Sequence, residues 1–229
     1  MARFIATAFL FIGIIVAVPF SVARAQTAGP QFLVTWHASG SYVPPGYPDK
    51  ALPNRASRIT ASVEVLSGGK QVSLAGQTIY WYLDTNYIGG GTGAESITFS
   101  PDQPPPATLD LEVKLPSYNG QAYTHDVLIP LVSPVAVIYA PYPNGVFSAG
   151  QLDLKALPYF FYATSSDALT YAWSANGQPG TNVESPDEAL VSLPPGAQSG
   201  TSVSVTLAVT DPVDSTVATA ISNLTYNAL

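Results

Sequence analysis

Apolar and polar residues alternate with a period of two along most of the chain that follows Gln26. The pattern is clearest over residues 58–65, 108–115 and 202–209. A two-residue period is typical of antiparallel strands that turn one face to a core and the other to water. Clusters of Pro and Gly separate the alternating runs, and no long window has the 3.6-residue period of a helix. The chain is therefore predicted to be all-β, with the short strands of a sandwich.

An internal repeat divides the chain into two similar units. Leu109–Val132 aligns without a gap with Val203–Tyr226, at an offset of 94 residues. Shorter motifs upstream match at offsets of 93 and 92 residues: Ile59-x-Ala61-x-Val63 with Leu152-x-Leu154-x-Ala156, and Ile79-x-Trp81 with Tyr171-x-Trp173. A unit of about 95 residues suits a seven-stranded sandwich. We therefore expect one sandwich over residues 26–133 and a second over residues 134–229, which meet near Ser133-Pro134.

The second unit resembles the PKD module of the immunoglobulin-like fold. The run L-T-Y-A-W-S-A-N-G, Leu169–Gly177, matches that family's aromatic-x-Trp strand before a Gly turn. The run V-T-L-A-V-T-D, Val205–Asp211, matches its late strand, and the first unit has divergent equivalents at Tyr80–Tyr82 and Leu109–Leu115. The family's W-D-F-G-D-G run is missing. The resemblance implies two tandem immunoglobulin/PKD-like β-sandwiches.

A second resemblance extends along nearly the whole chain after residue 25. The chain is similar to uncharacterised exported two-domain immunoglobulin-like proteins of small-genome bacteria. The shared segments are W-x-A…Y-x-P-P-x-Y from Trp36 to Tyr47, A-L-P from Ala51 to Pro53, and P-Y-F-F from Pro158 to Phe161. This resemblance implies tandem surface modules and brings no known activity with it.

The first 25 residues have the pattern of a secretory signal. Arg3 precedes an apolar stretch, Phe4–Phe20, and Ala23-Arg24-Ala25 forms an A-x-A cleavage site. The protein is therefore predicted to be exported, to the periplasm, the cell surface or the extracellular space. The alternative is that the segment stays uncleaved as a membrane anchor, since its length reaches the lower limit for spanning a bilayer.

Charge and cysteine content exclude several classes of function. The formal net charge is −7, so the chain lacks the basic face that nucleic-acid binding requires. It has no Cys, which excludes disulfides, thiolate zinc sites and cysteine nucleophiles. We expect no cofactor, and contact with a membrane only through the signal or anchor segment.

No catalytic or metal-binding constellation stands out. His125 and Asp126 are adjacent in the sequence, so in a strand they point to opposite faces and cannot form the pair that a Ser-His-Asp triad needs. Glu184, Asp187, Asp211 and Asp214 lack the spacing of a calcium loop. Gly89–Gly93 lacks the Lys of a phosphate-binding loop. The prediction is that the protein is not an enzyme and holds no metal.

Aromatic residues provide the remaining candidates. Trp81 and Trp173 occupy matching mid-strand positions and are predicted to lie in the two cores. The chain has 13 Tyr, a residue type that gives rigid amphipathic contact area when exposed. The candidates for contact with a partner or ligand are Tyr42, Tyr47, Tyr80, Tyr82, Tyr87 and Tyr142. The alternative is that these rings simply cover the ends of the sandwiches.

These features predict a non-enzymatic, exported surface or envelope module that works in adhesion or protein–protein binding. The partner would be a protein or a glycan at the cell surface. Two alternatives remain open at this point. One is a carbohydrate-binding module in which Tyr rings stack on sugars, and the other is a structural subunit that assembles through edge strands.

Overall fold

The computed structural model describes residues 29–180 and 185–228, so the predicted signal segment lies outside the described residues. These residues form strands and turns, with two short 3-10 turns at Pro143–Gly145 and Ser166–Ala168. The all-β fold class predicted from the alternation is therefore confirmed. None of the described segments is a helix long and apolar enough to span a bilayer.

The strands up to residue 131 form two sheets that face each other. One sheet has the order β1-β2-β3 with β6 also beside β2, and the other has the order β5-β4-β7-β8. Their bounds are β1 (Gln31–Ser39), β2 (Arg58–Ser67), β3 (Lys70–Val72), β4 (Thr78–Leu83), β5 (Asn86–Thr92), β6 (Ser96–Phe99), β7 (Ala107–Tyr118) and β8 (Gln121–Leu131). We call this unit the first sandwich.

The strands from residue 135 form a second pair of facing sheets. One sheet has the order β14-β11-β9, and the other has the order β10-β16-β15-β12-β13. Their bounds are β9 (Val135–Tyr139), β10 (Val146–Phe147), β11 (Gln151–Tyr159), β12 (Thr170–Ala175), β13 (Gln178–Pro179), β14 (Glu188–Ser192), β15 (Ser202–Thr210) and β16 (Val217–Tyr226). We call this unit the second sandwich. In both units the chain passes back and forth between two facing sheets, which is the immunoglobulin-like arrangement.

The two sandwiches correspond in their main strands, whereas β3 and β10 have no counterpart in the other unit. Trp81 on β4 lies opposite Val113 on β7, and Trp173 on β12 lies opposite Leu207 on β15. These pairs reproduce the offsets of 92 and 94 residues that the sequence shows. Because register decides which face each side chain occupies, the match places equivalent residues in equivalent cores.

The gapless alignment of the last hairpin is wrong by one residue. Leu109 pairs with Ile129 in the first sandwich, whereas Val203 pairs with Leu224 in the second. The returning strands therefore correspond at an offset of 95 residues, not 94. The cause lies in the turns, because the first hairpin has a register irregularity between Leu115 and Tyr118. A gapless alignment would match the buried Leu224 with the exposed Pro130.

Each sandwich has its own hydrophobic core with one tryptophan inside it. Trp81 is 0% exposed and Trp173 is 5% exposed. The Trp81 indole N–H donates to the carbonyl of Ala94 at 2.9 Å, and that of Trp173 donates to the carbonyl of Pro186 at 3.4 Å. In both cases the acceptor lies 13 residues further along the chain. Burial of a large ring with its polar atom paired is the favourable way to place Trp in a core.

We predict that Leu111→Ala lowers the free energy of unfolding of the first sandwich by about 2–5 kcal/mol. Leu111 is 0% exposed, so the substitution leaves a cavity between the two sheets. The matched control is Leu128→Ala, since Leu128 is 65% exposed on β8, and a change at such a surface position is worth about 0.5 kcal/mol or less. Urea denaturation followed by Trp fluorescence measures both. Equal losses in the two variants would contradict this placement of the core.

Candidate functional site

The structure distributes the six candidate tyrosines over three places. Tyr80, Tyr82 and Tyr87 come together on the outer face of one sheet of the first sandwich. Tyr42 and Tyr47 lie where the first sandwich meets the second. Tyr142 packs at one end of the second sandwich.

The first group forms a surface that we call the tyrosine face: Tyr80, Tyr82 and Tyr87. Side chains alternate across β4, so burial of Trp81 turns the tyrosines on both sides of it outward. Tyr87 on β5 lies beside them, with its ring centroid 6.1 Å from that of Tyr80 and 5.7 Å from that of Tyr82. Tyr87 is 58% exposed. Such rings offer rigid contact area to a partner at low entropic cost.

Glycines leave the strand beside this face without side chains. Gly90 lies opposite Tyr80, and it is flanked by Gly89 and Gly91. A Cβ built on Gly90 would meet the carbonyl oxygen of Ile79 and would lie 2.9 Å from both Cα and Cδ1 of Tyr80. The close approach of the Tyr80 ring therefore requires glycine here. The outer face of β5 therefore has a bare strip at Gly90, next to the Tyr80 ring, whereas a Cβ on Gly89 would point inward to Ile97.

Charged side chains border the tyrosine face on β7 and β8. Lys114 Nζ lies 2.6 Å from a carboxylate oxygen of Glu112 and 4.6 Å from the ring centroid of Tyr82. The hydrogen bond to Glu112 raises the pKa of Lys114, so this amine stays protonated. Asp110 and Asp126 are exposed on the same outer side of the sheet. The rings are therefore bordered by an amine and by several carboxylates.

The second place is the contact between the sandwiches, which we call the junction: residues 40–57 against residues 158–168. Tyr42 and Phe161 form an isolated antiparallel bridge. The Tyr42 N–H donates to the Phe161 carbonyl at 2.8 Å, and the Phe160 N–H donates to the Tyr42 carbonyl at 2.6 Å. Residues 40–57 of the first sandwich are thus tied to the second by the backbone of Tyr42.

Asn54 holds this contact together from the inside. It is 3% exposed, and its side-chain amide donates to the carbonyls of Gly40 at 3.1 Å and Phe160 at 2.8 Å. Its side-chain oxygen accepts from the Ala56 N–H at 2.8 Å. The fully buried Ser57 hydroxyl adds a hydrogen bond to the Gly40 carbonyl at 3.2 Å. A buried network with every member paired is rigid and specific.

Aromatic packing extends the junction. The Tyr47 ring lies 5.8 Å from that of Tyr159 and 6.0 Å from that of Phe160. Phe160 has a φ of 62°, a left-handed backbone that is uncommon for an aromatic residue. Its N–H and its carbonyl are both held by the first sandwich, through Tyr42 and Asn54. Contacts of this kind are what keeps an unfavourable backbone conformation in place.

The junction unites motifs that the sequence shows far apart. The Y-x-P-P-x-Y segment and the P-Y-F-F segment meet there, and the Ser41 hydroxyl donates to the Leu52 carbonyl of the A-L-P segment. Asn54, which follows A-L-P, was missed by the sequence reasoning. A signal was present, because Asn54 with Ser57 three residues later is a common turn pattern in which the side chain bonds to the backbone.

Burial changes the acidity of Tyr42 in the junction and of Tyr171 beside it. Burial is the main cause of the raised pKa of Tyr171, and its hydroxyl lies 2.9 Å from that of Ser166. Burial also raises the pKa of Tyr42. Because burial favours the neutral phenol, the stability it contributes is present below the ordinary pKa of 10.0. That stability is lost as the pH rises through the raised pKa.

Tyr142 has a role within the second sandwich. Its hydroxyl accepts a hydrogen bond from the Asp153 N–H at 2.9 Å, and its ring lies 5.8 Å from that of Phe147. It lies apart from the tyrosine face, so the structure does not bring all six candidates into one surface. Whether any of the six contacts a partner stays a prediction.

The described residues contain no group of three or more His, Asp or Glu side chains that could hold a metal ion. His125 and Asp126 lie on neighbouring positions of β8, opposite Val113 and Glu112 respectively. They therefore point to different faces of the sheet, as expected from the sequence.

No family model matches the chain, and no curated protein matches it. Among solved structures, it is similar to fibronectin(III)-like modules of Clostridium thermocellum CbhA, with 12% identity, 86% of this chain and 94% of that chain covered, and a TM-score of 0.31. It is also similar to three N-terminal domains of the bacteriophage RB49 Highly Immunogenic Outer Capsid protein. The identity is 13%, the match covers 86% of this chain and 59% of that chain, and the TM-score is 0.44. A third similar structure is Bacteroides ovatus SGBP-B in complex with a mixed-linkage heptasaccharide. The identity is 17%, the match covers 82% of this chain and 47% of that chain, and the TM-score is 0.28. At these values the likenesses say nothing about what the chain binds.

We predict that Asn54→Ala lowers the free energy of unfolding by about 1–3 kcal/mol, because the Phe160 carbonyl loses the Asn54 amide as its donor and the Gly40 carbonyl keeps only the Ser57 hydroxyl. The matched control is Asn86→Ala, since Asn86 is exposed and its side chain bonds only within a turn, to the Asp84 carbonyl at 3.3 Å. The control should change stability by about 0.5 kcal/mol or less. Thermal unfolding of both variants checks this. Indistinguishable melting curves for the two variants would show that Asn54 does not stabilise the junction.

We predict that Tyr171 titrates above pH 10.0 in the folded chain, because burial raises its pKa. The measurement is the alkaline titration of the ultraviolet absorbance of phenolate for the wild type minus that of Tyr171→Phe. The difference curve should have its midpoint above the ordinary value. A midpoint at or below that value would mean that water reaches the Tyr171 hydroxyl freely.

Proposed function

We propose that the protein is a non-enzymatic, exported interaction module built of two PKD-like domains, residues 26–133 and 134–229. It works at the cell surface or in the envelope, in adhesion or protein–protein binding. The first domain binds the partner, and the second holds the first in a fixed orientation.

The observation that carries this proposal is the tyrosine face. Three tyrosines lie together on an outer sheet face, and the most exposed of them, Tyr87, is 58% exposed. Clustered aromatic residues are enriched at protein interfaces, where they dominate the binding energy. The positions on β12 of the second sandwich that are equivalent to Tyr80 and Tyr82 carry the small residues Ala172 and Ser174. The duplication of the fold therefore does not extend to this surface.

The junction supports the proposal that the second domain holds the first in a fixed orientation while the first binds the partner. A backbone bridge, the buried Asn54 amide and the Tyr47 ring all fix residues 40–57 on the second sandwich. The tyrosines of the junction are used inside the molecule and are only partly accessible. A rigid connection of this kind lets one domain present its surface at a constant angle to the other.

The location rests on the sequence. Residues 1–25 have the pattern of a secretory signal. The absence of Cys means that the chain needs no oxidising compartment to complete its fold. Two separate buried cores hold the described residues together.

We predict that the fluorescently labelled chain binds saturably to an envelope preparation from the cells that produce it. The variant Tyr87→Ser should weaken this binding by about tenfold, as expected for loss of an aromatic anchor at an interface. Fluorescence anisotropy with increasing amounts of envelope measures the affinity.

The matched control is Tyr139→Ser. Tyr139 lies on β9 of the second sandwich and is 54% exposed, so it equals Tyr87 in residue type and is close to it in exposure. It should bind as the wild type does. The proposal fails if binding cannot be saturated, or if the two variants lose affinity equally.

A further inference from the structure

We infer that the partner of the tyrosine face is an extended protein segment rich in Lys or Arg, which lies along the free edge of β5. This inference rests on the proposed function and names the partner class for the same surface. Three observations carry it: the charge around the rings, the amine that already lies on one of them, and the bare edge strand beside them.

The charge around the tyrosine face favours a cationic partner. Asp110, Glu112 and Asp126 lie on the outer side of β7 and β8, with the amine of Lys114 among them. Glu112 already pairs with Lys114 at 2.6 Å. The other two carboxylates have no ion-pair partner within the described residues. Complementary charge raises the rate of association and excludes partners of the same sign.

The face already accommodates an amine. Lys114 Nζ lies 4.6 Å from the ring centroid of Tyr82, close enough for a cation–π interaction. No Lys or Arg within the described residues lies over the rings of Tyr80 or Tyr87. These two rings therefore offer the same kind of site to a cationic side chain from outside.

The edge of β5 offers a place for an extended backbone. β5 is the outermost strand in the order β5-β4-β7-β8. An added strand would form main-chain hydrogen bonds along it and turn every second side chain to the outer face, at intervals of about 7 Å.

The glycines make the rings reachable from that edge. Gly90, which is flanked by Gly89 and Gly91, places no side chain between an added strand and the ring of Tyr80. A long Lys or Arg side chain can cross this bare strip and place its charge over the ring, whereas a short side chain cannot. Sheet edges are usually protected by charged residues or Pro, and these three positions of β5 carry neither.

The test uses isothermal titration calorimetry with the purified chain and three probes. The first is a capped peptide of about nine residues that alternates Lys and Thr, long enough to pair with the whole of β5. The second replaces each Lys by Gln. The third is a neutral glucose hexasaccharide, which represents the sugar-binding alternative.

The Lys peptide should bind, and the Gln peptide should bind about tenfold more weakly or not at all, since charge complementarity is lost. Raising the salt concentration from about 50 mM to about 300 mM should weaken binding of the Lys peptide, because the charges are exposed. Tyr87→Ser should weaken it about fivefold, through loss of one cation–π contact and its area. Tyr139→Ser should leave it within about twofold of the wild type, as expected for a residue outside the interface.

A Lys peptide with methyl groups on alternate backbone nitrogens separates strand addition from simple charge attraction. Methylation on the edge that faces β5 removes the donors that strand addition uses, so binding should be lost. Methylation on the opposite edge should leave binding unchanged.

Several results would overturn the inference. They are the absence of binding by the Lys peptide, equal binding of the Lys and Gln peptides, and equal loss in Tyr87→Ser and Tyr139→Ser. Binding of the hexasaccharide that competes with the envelope and depends on Tyr87 would also overturn it, while leaving the tyrosine face as the binding surface. Envelope binding that does not depend on Tyr87 would instead contradict the proposed function itself.

Discussion

The alternation of side chains across β4 is the constraint on which the rest of the structure depends. Trp81 fills the space between the two sheets of the first sandwich, and its indole N–H donates a hydrogen bond to the Ala94 carbonyl. Because successive residues of a strand point to opposite faces, Tyr80 and Tyr82 must then face solvent. The same residues that form the core therefore also set the position of the candidate binding surface.

Side chains alternate in the same way across β12 of the second sandwich, but its outward positions carry small residues. Trp173 is buried as Trp81 is, and its indole donates to a carbonyl at the same distance along the chain. Its outward neighbours on β12 are Ala172 and Ser174, and this sandwich accepts residues 40–57 of the first at one end. One copy of the fold thus has an aromatic outer face, while the other acts, in our proposal, as a support. The junction, with its paired Asn54 amide, couples the two.

Much of the fold could be predicted from the sequence because it depends on local periodicity. The strands, the two tryptophans and the internal repeat all follow from residues that alternate or recur at fixed offsets. The change of offset from 94 residues for β7 and β15 to 95 residues for β8 and β16 could not be predicted. It arises from turn geometry that a gapless comparison ignores. The junction could not be predicted from the sequence either, because it joins distant parts of the chain. Asn54 and Phe160 are separated by 106 positions. Tyr42 and Tyr47 were recognised as candidates for contact, but the sequence gives no sign that they contact the second sandwich.

The central claim is that the tyrosine face and the edge of β5 form the surface that meets the partner. Hydrogen–deuterium exchange of the chain, alone and bound to its envelope partner, tests this most directly, because amide protection reports where backbone becomes hydrogen-bonded. The account predicts slower exchange in the bound state for peptides that cover Asn86–Thr92, with little change over Val135–Tyr139. Unchanged exchange over Asn86–Thr92, together with new protection elsewhere, would contradict it.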